Sequence, residues 1–171
     1  MKKIIFLLVF VIMALPLHAD DLLSVSASRE SSDIGEISSV HLSAILANPS
    51  SKIGIQVSTG LNFADILNYN DELHSYVAWD VILKFGYFSN LSIYVEGGFD
   101  LGEAIVEDVS GSDEDWEDDD FNSVDGFLGV GAGLILDNIG INLYARYRHL
   151  NGPYLDDTSD WFSGMEFSVY F

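Results

Sequence analysis

The segment "GMEFSVYF", from Gly164 to Phe171, gives the clearest indication of the fold. Met165, Phe167, Val169 and Phe171 fall on one side of an extended strand, and small or polar residues fall between them. Chain ends are normally polar and poorly ordered. We therefore expect this strand to be held in place by a neighbouring strand.

The same alternation recurs along the chain with a period of two, which is typical of β-strands. It predicts eight strands, at about residues 23–28, 40–46, 53–60, 76–86, 91–100, 127–136, 140–148 and 161–171. The connections after the second, fourth and sixth strands are short, and the others are longer, the largest being about 101–125. This pattern predicts an all-β fold, an eight-stranded antiparallel up-and-down transmembrane β-barrel over residues 20–171 with long acidic extracellular loops.

The first nineteen residues have the layout of a secretory signal peptide. Lys2 and Lys3 precede an apolar run over 4–17, and Ala19 is a small residue at the expected cleavage point. The alternative is an uncleaved membrane helix, but the apolar run is short for a membrane span. We expect residues 1–19 to be removed.

Composition excludes several classes of function. The net charge is −20, and such an acidic surface argues against binding nucleic acid, whose phosphates need Lys and Arg. The chain has no cysteine, so it has no disulfide and no thiolate site. Because 49% of the residues are hydrophobic, the chain is not expected to be disordered. No cofactor is predicted.

The polar face of the predicted strands separates a membrane barrel from a soluble one. That face is mostly Gly, Ser and Tyr with a few charges of both signs, which suits a narrow packed interior. From the third strand onward the apolar face carries no charge, and a charge in the middle of a bilayer costs about 2–4 kcal/mol. Closure also pairs every backbone amide and carbonyl, as lipid requires.

The closing strand and the segment "LYARYRHLNG" carry a family resemblance. The chain resembles the small eight-stranded outer-membrane proteins of the OmpA and OmpX type, and its ending is similar to that of YfaZ-like proteins. The resemblance implies a monomer in a Gram-negative outer membrane, porin-like in architecture, in contact with lipids and lipopolysaccharide. It also implies an assembly signal read by the barrel assembly machinery, formed by Trp161, Met165, Phe167, Val169 and Phe171.

Six charged residues are predicted to point into the barrel: Asp80, Lys84, Glu96, Arg146, Arg148 and Glu166. Four of them lie at similar depth, so we expect an ion-pair network that fills the interior, since buried charges are normally paired. The alternative is an ion or proton path through the barrel.

His149 raises an enzymatic alternative. Small barrels that deacylate lipid A carry a His, a Ser two residues later and an acid on the outer surface, which together form an activated nucleophile. Here position 151 is Asn, and the next serines are Ser159 and Ser163, which only a bent loop or an adjacent strand brings near. Otherwise His149 is an interfacial anchor.

An acidic run in the largest loop resembles a calcium-binding loop. The resemblance fails at the sixth position, which is Asp118 rather than Gly, and at the twelfth, which is Val124 rather than Glu. Weak Ca²⁺ or Mg²⁺ binding is one interpretation, and a solvated, self-repelling loop is the other. The candidate ligands are Asp113, Asp115, Glu117, Asp118, Asp119 and Asp120.

The sequence therefore predicts a small, non-catalytic integral outer-membrane protein with a structural or surface-interaction role. The alternatives are a lipid A-modifying enzyme of deacylase type and a narrow ion channel. Fold does not decide among these, because the same barrel hosts unrelated functions.

Overall fold

The computed structural model describes residues 22–67, 70–102, 125–152 and 155–171. They form eight strands in one closed barrel. The strands are β1 (Leu22–Ser32), β2 (Gly35–Ala47), β3 (Ile53–Leu67), β4 (Leu73–Tyr87), β5 (Leu91–Asp100), β6 (Gly126–Leu136), β7 (Ile139–Gly152) and β8 (Leu155–Tyr170). No helix in this part of the chain is long and apolar enough to cross a membrane.

Each strand pairs antiparallel with the next one in sequence, and β8 pairs with β1 to close the barrel. The closing register runs from Ser24 opposite Tyr170 to Ser31 opposite Ser163. The amide of Phe171 donates to the carbonyl of Leu23 at 3.0 Å, so the closing contact reaches the last residue. The predicted eight-stranded antiparallel barrel is confirmed.

Of the connections that we expected to be long, only the one over 101–125 is longer than the short ones, because β1 and β2 are separated by residues 33–34 alone and β7 and β8 by residues 153–154 alone. At the turn end, residues 48–52, 88–90 and 137–138 join β2–β3, β4–β5 and β6–β7. Asn48 shapes the first of these turns, because its side-chain oxygen accepts from the amides of Ser50 and Ser51. At the opposite end, called the loop end here, β1–β2, β3–β4, β5–β6 and β7–β8 are connected.

Strands extend further toward the loop end than alternation predicted. β1 runs to Ser32 and β2 starts at Gly35, so only residues 33–34 connect them. β3 likewise continues to Leu67, through residues that we expected in a long loop. The reason is that ladder hydrogen bonds, which need no apolar side chain, continue past the apolar part of each strand.

The burial pattern is inverted relative to a soluble protein. Among the described residues, 21 polar or charged side chains are buried against 14 hydrophobic ones, so the interior is mainly polar. The outward positions carry large apolar side chains on every strand, and Leu128, at 72% exposure, is the most exposed of them. The described outward charges include Arg29, Glu36 and Asp65, which lie toward the loop end of β1, β2 and β3. Asp65 departs from the charge-free face that we expected, because β3 continues past the apolar region.

An apolar cluster lies toward each end of the interior. The loop-end cluster consists of Ile37, Ala64, Ile66, Leu150 and Phe162. The turn-end cluster consists of Ile45, Phe88, Tyr94 and Tyr170. The Lys84–Glu166 and Arg146–Glu96 pairs therefore lie between these two clusters.

Candidate functional site: the charged interior

The first interior ion pair joins β4 to β8. The ammonium of Lys84 lies 2.9 and 3.1 Å from the two carboxylate oxygens of Glu166, and both side chains are almost fully buried. Asn142 on β7 donates its amide to the same carboxylate at 2.9 Å. The aromatic ring of Tyr94 lies under the ammonium, 4.8 Å from its nitrogen. A buried charge is thus matched by an opposite charge and by polarisable neighbours.

Arg146 is the centre of the second cluster and is completely buried. Its Nε and Nη2 donate to the two oxygens of Glu96 at 2.8 and 3.1 Å, the bidentate geometry that suits a planar guanidinium. Its Nη1 donates to Glu30 at 3.2 Å. The guanidinium also stacks on Tyr144 and Phe127, with ring centres 4.1 and 4.5 Å away.

Arg148 continues this network toward the loop end. Its Nε forms an ion pair with Glu30 at 2.5 Å, and its Nη1 lies 3.7 Å from an oxygen of Asp80. The carboxylate of Glu30 therefore bridges two arginines. The network joins β1, β4, β5 and β7 across the barrel.

Glycines make room for these large side chains. A Cβ at Gly129 would lie 2.7 Å from the carbonyl oxygen of Ala145, 2.9 Å from Cγ of Arg146 and 3.1 Å from Glu96. A Cβ at Gly164 would lie 2.7 Å from both Cβ of Glu30 and the ring of Tyr144. The glycines on the inward face thus provide the space that the charged network fills.

The structure places all six predicted interior charges inside the barrel. Lys84 and Glu166 form one ion pair, and the other four belong to the network around Arg146 and Arg148. Sequence analysis missed Glu30, because it ended the first strand at Ser28 and assigned Glu30 to a loop. The missed signal is that Ser24, Ser26, Ser28 and Glu30 continue one alternating series.

His41 is another interior residue that sequence analysis missed. Its side chain is buried, and neither ring nitrogen has a hydrogen-bond partner among the described residues. It lies against Gly60, where an added Cβ would be 2.6 Å from its ring. The period of two puts His41 on the polar face, between outward Val40 and Leu42, but does not show that its ring is buried without a partner.

The loop end of the interior is rich in carboxylates. Asp80, Asp100 and Asp125 are all buried and line one small cavity with a single cation, Arg148. Asp100 accepts from the backbone amides of Trp79 and Gly102 at 3.2 and 2.6 Å. No group of three His, Cys, Asp or Glu side chains within the described ranges is arranged to hold a metal ion. The predicted metal ligands over 113–120 lie outside those ranges, as do residues 1–19.

His149 and Ser159 meet on the outward face near the loop end. They are directly opposite in the β7–β8 register, and Nδ1 of His149 lies 3.0 Å from the hydroxyl of Ser159. The adjacent strand thus brings a serine to His149, although position 151 is Asn. Beneath them Tyr147 and Trp161 form an aromatic pair, with ring centres 5.5 Å apart.

The five residues of the predicted assembly signal all lie on the outward face of the barrel. Trp161, Met165, Phe167 and Val169 are exposed along β8, and Phe171 follows at its end. The inward residues of β8 include Phe162 in the loop-end cluster, Glu166 and Tyr170. β8 therefore contributes both to the interior network and to the apolar exterior.

Strand number, antiparallel closure, polar interior and apolar exterior define a small eight-stranded β-barrel. No family model matches the chain, and no curated protein matches it. Among solved structures, the chain is similar to the outer membrane protein OprG from Pseudomonas aeruginosa, with 13% identity, a TM-score of 0.43 and coverage of 88% of this chain and 95% of the other. It is also similar to Neisserial surface protein A, with 12% identity, a TM-score of 0.43 and coverage of 88% and 94%.

Proposed function

We propose that this protein is an integral outer-membrane barrel with a structural role, whose interior is a packed ion-pair core. The inverted burial pattern carries the proposal. Large apolar side chains such as Leu128, Leu143 and Phe167 are exposed around the barrel, whereas Arg146 and Glu166 are buried within it. A contiguous apolar exterior of this extent is unstable in water and suits contact with lipid.

The outward charges support a defined membrane position. From β4 to β8, the described outward side chains carry no charge, whereas Arg29 and Glu36 pair on the outward surface of β1 and β2 toward the loop end. Outward Tyr87 ends β4 at the turn end, and the outward pair of Tyr147 and Trp161 lies in the loop-end half of β7 and β8, an arrangement compatible with the aromatic girdles of membrane barrels. We place the loop end outside the cell.

The interior supports a structural role rather than conduction. Lys84, Arg146 and Arg148 are all paired with carboxylates, and an apolar cluster lies toward each end of the interior. An eight-stranded barrel has an interior just wide enough for side chains to fill. Planar-bilayer recording is therefore expected to show no single-channel conductance. Reproducible steps that change in Arg146→Ala would instead favour the narrow channel.

Heat-modifiability on gels, combined with protease treatment of intact cells, tests the membrane placement. A folded barrel is expected to migrate faster before boiling than after it. Protease added outside intact cells is expected to cut only within the largest connection, over 103–124. Recovery of the protein in the soluble periplasmic fraction, without heat-modifiability, would reject the proposal.

The assembly signal is a separate part of the proposal. We expect Phe171→Ser to lower the fraction of heat-modifiable barrel in cells, because the outward aromatic end of β8 would be lost to the assembly machinery. Lys52→Ser, in an exposed turn at the same end, is the matched control. Equal assembly of both variants would show that Phe171 is not read.

Surface contacts through the acidic connection complete the proposal. The carboxylates at 113–120 are expected to bind Ca²⁺ or Mg²⁺ weakly, and through these ions to contact lipopolysaccharide phosphates. Titration with Ca²⁺, followed by Trp116 fluorescence, tests this. No change in fluorescence or in melting temperature would show that the acidic connection does not bind the ion.

A second candidate function is ester hydrolysis at the outer surface, and the contact between His149 and Ser159 favours it. In this reaction Ser159 Oγ attacks the ester carbonyl while His149 takes the hydroxyl proton. The alcohol leaves with that proton, and water then releases the acyl group from Ser159. The position above the Tyr147–Trp161 pair suits an acyl ester of a membrane lipid.

An acyl-release assay on purified lipid A separates the two functions. If the second function holds, Ser159→Ala and His149→Ala abolish release, whereas Ser163→Ala, on the same outward face of β8, does not. No release by the wild-type barrel, with heat-modifiability intact, leaves the structural role alone.

A further inference from the structure

A small cavity lies inside the loop end of the barrel, between the apolar cluster and the ion-pair network. Its volume is about 10 Å³, close to the smallest that holds one water molecule. Its walls include Ile37, Ala64 and Leu150 on the apolar side and Asn62, Asp80 and Arg148 on the polar side. The three polar residues are each at least 95% buried.

These three side chains present complementary groups without hydrogen-bond partners among the described residues. Asp80 Oδ2 and Asn62 Oδ1 are acceptors, and Arg148 Nη2 is a donor. The charged groups of Asp80 and Arg148 are also too far apart for a direct hydrogen bond, at 3.7 Å. A polar separation of this length is commonly bridged by water.

We propose that this cavity binds one structural water molecule. The water donates to Asp80 and to Asn62, and it accepts from Arg148. These three hydrogen bonds match the number that buried waters usually make. A metal ion fits the site poorly, because it cannot accept a hydrogen bond from Arg148.

The cavity lies next to the base of the largest connection. Asp125, which follows that connection, lines the same cavity and accepts from the backbone amide of Asn151. The amide of Asp100 donates to the carbonyl of Asp125 at 2.9 Å, which joins the two sides of the connection. The proposed water site thus lies beside the residues that flank this connection, Asp100 and Asp125.

A crystal structure of the wild-type barrel, resolved well enough to show ordered water, tests the site directly. We expect one density peak 2.7–3.2 Å from Asp80 Oδ2, Asn62 Oδ1 and Arg148 Nη2, the usual hydrogen-bond range. Direct contact of Arg148 with Asp80, with no peak between them, would overturn the proposal. A peak with several ligands near 2.3 Å would indicate a metal ion and would also overturn it.

Solution NMR in detergent micelles gives a second test. We expect a water cross-peak to the Arg148 guanidinium protons in the wild type that is lost in Asn62→Leu, whose side chain removes one acceptor and fills the cavity. Gln56→Leu is the matched control, because Gln56 is equally buried but bonds Ser58 outside the cavity wall. Persistence of the cross-peak in a folded Asn62→Leu barrel would contradict the site.

Discussion

The middle of the interior and its loop end handle buried charge in different ways. In the middle, Arg146 donates to two carboxylates and Lys84 binds both oxygens of a third. At the loop end, Asp80, Asp100 and Asp125 line one cavity with a single cation, Arg148, which lies near Asp80, and Asp100 accepts from backbone amides. Alternation therefore determines which side chains enter the barrel, whereas their depth and the neighbouring donors determine how each charge is compensated.

The largest effect is expected in the middle of the interior. Arg146→Ala leaves Glu96 buried without its bidentate partner and leaves Glu30 paired with Arg148 alone, and breaking a buried pair costs about 3–5 kcal/mol. We expect the free energy of unfolding in urea, measured in lipid vesicles, to fall by that amount. Arg29→Ala is the control, because its pair with Glu36 is exposed and contributes about 0–1 kcal/mol. Equal losses of unfolding free energy in the two variants would show that the buried contacts of Arg146 stabilise the barrel no more than an exposed ion pair does.

A double-mutant cycle on Lys84 and Glu166 tests whether this buried ion pair acts as a unit. Lys84→Met alone is expected to destabilise the barrel by about 3 kcal/mol, because Glu166 then remains buried with Asn142 as its donor among the described residues. The double variant Lys84→Met/Glu166→Gln is expected to recover most of that loss, since no uncompensated charge remains. Additive losses in the same unfolding measurement would show that the pair does not act as a unit.

The outward face provides the next largest effect. Leu143 is exposed on β7, well inside the apolar surface, and Leu143→Lys is expected to cost about 2–4 kcal/mol in lipid. Asp65→Lys, on the outward face near the loop end, is expected to cost about 1 kcal/mol or less, since the penalty falls toward the interface. If both substitutions proved neutral in vesicles, the apolar surface would not be facing lipid.

The smallest effect is expected at the loop end. Asp100→Asn keeps an oxygen that accepts from Trp79 and Gly102 while it removes one of three neighbouring carboxylates. The lost charge-assisted hydrogen bonds and the relieved repulsion oppose each other, so we expect a change in unfolding free energy of about 1 kcal/mol or less. A loss as large as that of Arg146→Ala would contradict the contrast between the two regions.

Much of the fold followed from the period of two, because side chains in a strand alternate strictly between faces. That rule predicts eight strands and assigns Lys84, Arg146 and Glu166 to the inward face. It assigned the ends of the strands poorly, since the ladder of β1 continues past the last apolar residue to Ser32. Glu30 was missed for that reason.

Local alternation and composition were enough to predict the number of strands, their two faces and the inward position of the charged residues. Which charges meet depends on closure and register, which bring together residues such as Arg146 and Glu30 that are far apart in the chain. The same register places Ser159 beside His149 and closes "GMEFSVYF" against β1. Contacts of this kind depend on the relative shift of neighbouring strands, which alternation within one strand does not specify.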